Sequence, residues 1–129
     1  MNLADRIIAL QHIFPFSRLR EGELAALAEV CIVRSYEPNE LVLEAGRSMK
    51  RLLICLNGGF RDASGKPPGL ILGIQSLLFD HELSESLYAT DDGATCLLLE
   101  KGYFFRTMYE LPEIAQGIVA LQARQEVHS

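Results

Sequence analysis

The sequence is poor in basic residues. It carries 12 Lys and Arg against 17 Asp and Glu, a formal net charge of −5, and its acids are spread along the whole length. Nucleic-acid binding depends on clustered cations that neutralise phosphates, and no basic face is readable here, so no nucleic acid is expected on this domain. Long apolar runs are also missing. The longest, Gly69 to Phe79, covers about eleven residues and is interrupted by Gln75 and Ser76, well short of the ~20 that a membrane helix requires. It reads as core, and no membrane insertion by this domain is expected. The opening MNLADRIIALQ carries Asp5 and lacks a basic region followed by a small-residue cleavage site. It does not read as a secretory signal, and a cytoplasmic setting is expected.

Chemistry-bearing motifs are scarce as well. The three cysteines, Cys31, Cys55 and Cys96, are odd in number, far apart and embedded in apolar runs, which reads as buried thiols rather than a disulfide or a metal site. His12, His81 and His128 have no partner at ligand spacing, so no metal is expected. There is no nucleophile motif, P-loop or dinucleotide fingerprint; the two glycines of LNGGFRD lack the helix that such a signature requires. An enzyme is the least supported class.

What is present is a foldable chain. With 129 residues, 49% hydrophobic and 22% charged, it fits one domain over residues 1–129, with no internal repeat, linker or low-complexity tract. Ile7, Ile8, Leu10 and Ile13 fall largely on one helical side of a segment from Leu3 to Ile13, which Pro15 stops. RLREGELAALAEV spaces Leu24, Leu27 and Ala28 for a second helix, with Glu21 and Glu23 in its first turn. The helices thus occupy about 3–30. From Cys31 the period changes to two. Strands are expected over Cys31–Tyr36, Glu40–Leu43 and Leu52–Leu56, divided by EPN, EAGRSMK and NGG as turns. FRDASGKPPG reads as a loop or stunted hairpin. LILGIQSLLF holds one compact turn of helical type; SESLYAT and GATCLLLE read as two strands split by a TDDG turn, which ends the β region near residue 100. GYFFRTMYEL then returns to helical spacing, and Pro112 suits the first position of a last helix to about Gln125, giving C-terminal helices over about 101–125. Tyr103, Phe104, Phe105, Met108 and Tyr109 form an aromatic-rich patch, either core or partner surface. The class is α+β, an antiparallel β core with N-terminal and C-terminal helices.

These landmarks carry a resemblance. IFPFSRLREGELAALAE, YEPNELVLEAG, LLICLNGG, PPGLILGIQSLL and LYATDDGATCLLLEKGYFFRTMYELPEIA follow one another in the order and spacing of the cyclic-nucleotide-binding domain family. This is the jelly-roll (double-stranded β-helix) module of catabolite-activator-type regulators, cyclic-nucleotide-gated channels and kinase regulatory subunits. The chain resembles it over almost its whole length. The resemblance implies an antiparallel jelly roll and a phosphate-binding cassette, in which N–H groups at the start of a short helix hold the cyclic phosphate. It also implies a Glu after the cassette glycine for the ribose and an Arg about nine residues later for the phosphate.

In this chain LGIQSLL stands in the place of FGExxLL. Gly73 fits, Ile74 stands where the family has Glu, and Leu83 stands where it has Arg; Ser84 matches and Glu85 replaces a usual Ala. No register restores the arginine, because no Arg lies between Arg61 and Arg106 and the only lysines in that interval are Lys66 and Lys101. Losing two or three charge-assisted bonds reduces affinity by about three powers of ten. The family hairpin before the cassette is also shortened to GGFRDASGKPPG. Gly73 reads as a close approach to a ligand or as a turn, Ile74 and Leu83 as core or a repurposed apolar pocket. Ser84 and Ser86 read as a ligand face or a solvated strand face.

The expected function is therefore a non-catalytic, cyclic-nucleotide-binding-like regulatory or interaction module with a degenerate ligand pocket. No cofactor is expected, cyclic nucleotide being disfavoured. The partner is another protein, an adjacent domain of a longer chain such as a channel, transporter or repeat array, or a second copy through the C-terminal helix. The alternative is a small-molecule sensor that binds a cyclic nucleotide or a different ligand, neutral or differently charged, in the same pocket, at Gly73, Ile74, Gln75, Ser76, Leu83 and Ser84, and regulates a linked effector, channel, transporter or transcription regulator. A DNA-binding regulator requires a longer parent chain, because no helix-turn-helix follows the last helix before Ser129.

Overall fold

A computed structural model describes the backbone of residues 1–128 and the side chains of 1–122. The chain divides into two compact units, Met1–Val30 with Gly102–Ser129, and Cys31–Lys101.

The first unit is helical. Helix α1 (Leu3–Leu10) is opened by a capping box, in which Asn2 Oδ1 accepts from the Asp5 N–H at 2.9 Å and the Asn2 N–H donates to Asp5 Oδ2. It ends earlier than the expected Ile13, and a short 3-10 turn at Phe16–Arg18 follows Pro15. Helix α2 (Glu21–Val30) buries Leu24, Leu27 and Ala28, the positions its spacing marks. Helix α4 (Lys101–Glu110) buries Phe104, and α5 (Pro112–His128) begins on the proline as expected. Ile114 and Ile118 are buried on α5. At Gly117 an added Cβ would overlap Pro15 Cβ, so α5 runs against the segment before the 3-10 turn and no side chain fits between them.

The second unit is an antiparallel sheet of β1 (Ile32–Tyr36), β2 (Leu41–Leu43), β3 (Arg51–Arg61), β4 (Ile71–Leu72) and β5 (Leu87–Glu100), with helix α3 (Ile74–Phe79) between β4 and β5. The order is β1-β5-β3-β4, and β2 pairs the opening residues of β5. LLIC on β3 and CLLL on β5 pair with each other, and each of these residues is buried, so both faces of the central ladder are covered. One face, with Tyr36, Leu53, Cys55, Phe60, Leu87, Ala89, Cys96 and Leu98, forms the core cluster of the unit.

Two expected turns are strand interior instead. NGG lies within β3, and SESLYAT and GATCLLLE contribute to one continuous strand rather than two. The register shifts between Cys55 and Asn57 and between Gly58 and Phe60, so the glycines mark bulges at which the strands bend. Gly58 has φ +71 and Gly93 φ +72, and a Cβ on Gly58 would overlap the Gly93 carbonyl oxygen. The two strands approach there more closely than any side chain allows. The loop after β3 is closed by Asp62, whose carboxylate accepts from the Ser64 N–H, the Ser64 hydroxyl and the Lys66 N–H. These bonds, the Ser64 hydroxyl foremost and the Lys66 N–H next, together with a contribution from the Glu85 carboxyl, hold the Asp62 carboxyl down at about 2. The chain then returns directly to pair Leu53 and Ile54 through β4, so the stretch the sequence marks as stunted forms no further strand among the described residues. The α+β class with an antiparallel sheet is as expected.

Candidate functional site

Gly73 opens α3 with φ +105. A Cβ there would lie 2.9 Å from Met49 Cε and 3.0 Å from the Arg51 carbonyl oxygen. The close backbone approach at this glycine is therefore to the protein's own chain. Ile74 is only 3% exposed and Ser76 is equally buried, its hydroxyl donating to the His81 carbonyl at 2.6 Å. Gln75 is half-buried. Asp80, in the left-handed region, ends the helix with its N–H on the Ser76 carbonyl oxygen.

The segment after α3 is pinned to the one before β3. The Leu83 N–H donates to the Arg47 carbonyl at 2.9 Å, the Gly46 N–H donates to the Leu83 carbonyl at 2.8 Å, and Ser48 and Glu82 form an isolated bridge. Nearby, Ser86 Oγ accepts from the Ala45 N–H. The pairing turns the Leu83 side chain onto the core cluster, while Ser84 stays exposed.

Beside Leu83 lies a cavity of about 560 Å³, within the range of small-molecule sites. Buried Tyr36, Met49, Leu53 and Leu98 line it together with Val42, Leu43 and Leu83. Its charged lining consists of Arg34, Arg47, Lys50 and Arg51 against Glu44 and Glu100. Arg47 pairs with Glu44 at 3.2 Å and Arg51 with Glu100 at 2.8 Å, while Arg34 lies over the Tyr36 ring with its Cζ 4.7 Å from the centroid. Burial raises the Tyr36 phenol above its ordinary value, with Cys96 adding to the shift, so Tyr36 is a neutral wall at physiological pH.

No protein-family model and no curated protein matches the sequence. Solved structures do match the fold. The chain is similar to the Thermus thermophilus catabolite activator protein with a TM-score of 0.73 at 24% identity, covering 88% of this chain and 58% of that one. It is similar to the sensor domain of the transcriptional regulator DNR from Pseudomonas aeruginosa with a TM-score of 0.73 at 12% identity, covering 95% and 89%. A third match is the regulatory subunit of a cAMP-independent protein kinase A from Trypanosoma cruzi bound to guanosine, with a TM-score of 0.71 at 20% identity, covering 95% and 45%.

The fold is that of a cyclic-nucleotide-binding domain. Its jelly-roll character and the regulatory setting of its structural neighbours agree with the sequence resemblance. The chain spans 58% of the catabolite activator protein and 45% of the kinase regulatory subunit, so it matches only part of the length of these neighbours.

Within the cyclic-nucleotide-binding fold, the cavity and the cassette helix are neighbours, since Met49 lines the cavity and adjoins Gly73. Of Gly73, Ile74, Gln75, Ser76, Leu83 and Ser84, only Leu83 lines the cavity. The other lining residues come from β1, from the 41–51 segment and from the ends of β3 and β5, which sequence reasoning misses. A signal is present in RSMKR, three cations in five residues, but it reads as a turn because Gly46 precedes it. His12 and His81 are exposed, His128 lies outside the described side chains, and no metal-holding cluster occurs among the described residues. In the aromatic patch Phe104 is buried, whereas Tyr109 is 90% exposed. No helix among the described residues is long and apolar enough to cross a membrane.

Proposed function

We propose that the chain is a non-catalytic regulatory module of the cyclic-nucleotide-binding fold whose cassette does not hold a cyclic phosphate. The observation that carries this reading is Leu83. It occupies the position the resemblance gives to the phosphate arginine, and its side chain packs on the apolar core cluster at the cavity wall. Ile74, in the place of the ribose-binding glutamate, is buried core. An anion beside these two groups would exchange water for apolar side chains, an unfavourable transfer. The module would act on an adjacent domain of a longer chain or on a protein partner, including a second copy. Its three buried thiols, none of them in a disulfide, suit the reducing cytoplasm.

The test is calorimetric titration of the chain and of Leu83→Arg with cyclic AMP and cyclic GMP. The reading expects no saturable heat from the natural chain and a gain in the variant, since one charge-assisted contact strengthens binding by about tenfold or more. Micromolar binding by the natural chain would refute it.

A second reading, a sensor for a different small molecule, is favoured by the retained cavity. The guanosine bound to the Trypanosoma cruzi protein is a precedent for a ligand without a phosphate in this fold.

A further inference from the structure

The lining of the cavity is divided by chemistry. Its buried members, Tyr36, Met49, Leu53 and Leu98, are apolar or neutral, whereas Arg34, Arg47, Lys50 and Arg51 are all exposed at its rim. Two of these four cations are matched by carboxylates, and those pairs are open to solvent. The side chains of Arg47 and Glu44 are 79% and 59% exposed, which makes their attraction weak and easily exchanged for another anion. Arg34 and Lys50 have no carboxylate partner among the described residues. The mouth thus holds four cations against two acids in a chain whose net charge is −5. Repulsion among like charges disfavours gathering cations in this way, and an anion at the mouth would relieve it.

We propose that this cavity binds an organic anion, with an aromatic or aliphatic body against Tyr36, Leu53, Leu83 and Leu98 and a carboxylate or phosphate held at the rim by Arg34 and Lys50. The inference rests on the reading that the cassette holds no cyclic phosphate, and it moves the site of anion recognition from α3 to β1 and the segment before β3. Arg34 has the geometry that such recognition requires. Stacking on Tyr36 fixes its guanidinium at the mouth, and a planar guanidinium offers paired donors to a carboxylate or phosphate.

The experiment uses three probes of similar size, 1-naphthoate, 1-naphthyl phosphate and uncharged 1-naphthylmethanol, titrated into the chain and followed by calorimetry at low and high salt. Both anions are expected to bind more tightly than the alcohol and to weaken as salt rises. Whichever anion binds more tightly identifies the headgroup. Arg34→Gln with Lys50→Gln is expected to weaken anion binding by about a hundredfold while leaving the alcohol unchanged. Arg61→Gln, at a cation that stacks on Tyr88 outside the cavity, is expected to leave all three unchanged. Circular dichroism of each variant establishes that the fold is retained. Equal affinity for the alcohol, no loss in the double variant, or no binding of either anion at millimolar concentration overturns the inference. Cyclic AMP serves as a fourth arm. If it binds the natural chain and that binding survives the loss of Arg34 and Lys50, the cassette reading fails; if the binding is lost with them, its phosphate is held at the rim and both readings stand. If it is silent while the naphthyl anions also fail, only the anion site is lost.

Discussion

Restoring the two missing family charges should have very different effects at the two positions. Ile74 is 3% exposed, on the inward side of a six-residue helix whose last turn is tied down by the Ser76 hydroxyl on the His81 carbonyl. Ile74→Glu removes the buried isoleucine packing and places a carboxyl at a position that is only 3% exposed. Together these effects should destabilise the chain by about 3 kcal/mol or more. Leu83 is only partly buried at the cavity wall, so Leu83→Arg can lay its stem along the wall and place its head in water, at a cost below about 1 kcal/mol. Urea unfolding followed by circular dichroism measures both. At about 3 °C per kcal/mol for a chain of this size, melting should fall by ~10 °C in the first variant and only slightly in the second. An Ile74→Glu variant as stable as the natural chain would show that position 74 is not core and that the cassette is open to charge.

Three further outcomes are expected. Gly117→Ala should destabilise the chain although alanine is favoured over glycine by ~1 kcal/mol in a helix, because the new Cβ would overlap Pro15 Cβ; a raised urea midpoint would contradict the packing of α5 on that segment. Burial raises the Cys55 thiol, and raises the Cys96 thiol to about 11, so neither should react with a disulfide reagent at about pH 8 until the chain is unfolded; prompt labelling of either in the native chain would refute their burial. The Asp62 carboxyl lies below its ordinary value in the folded chain, so its contribution to stability is fully present above about pH 4 and is lost as pH falls through about 2. An NMR titration of the Asp62 carboxyl with a midpoint near its ordinary value would show that its bonds to Ser64 and Lys66 do not persist in solution.

The helices were legible because their signals are local. Pro112 marks the start of α5, and Leu24, Leu27 and Ala28 mark the buried face of α2. The strands were legible in type but not in extent. Asn-Gly-Gly and Asp-Asp-Gly have the composition of turns, yet Gly58 and Gly93 serve a contact between strands that are distant in sequence, and only their pairing shows them to be bulges. The cassette itself was legible by resemblance, and the absence of an arginine there could be read without any structure. The cavity rim was not. Arg34 and Lys50 are separated by Glu37, Glu40 and Glu44, so along the chain the charges average out, whereas pairing of the 46–48 segment with 82–83 places Arg47 and its neighbours beside Leu83. Which charges converge is a property of the sheet, and a count along the sequence does not contain it.

The central claim, that the cassette of this fold no longer receives a cyclic phosphate, is tested most directly by following backbone amide NMR signals of the natural chain as cyclic AMP is added to millimolar concentration. The account predicts that the amides of Ile74, Gln75 and Ser76 do not move. A saturable shift of those three amides at micromolar nucleotide would contradict it, because it would place the phosphate at the start of α3 without the arginine or the glutamate.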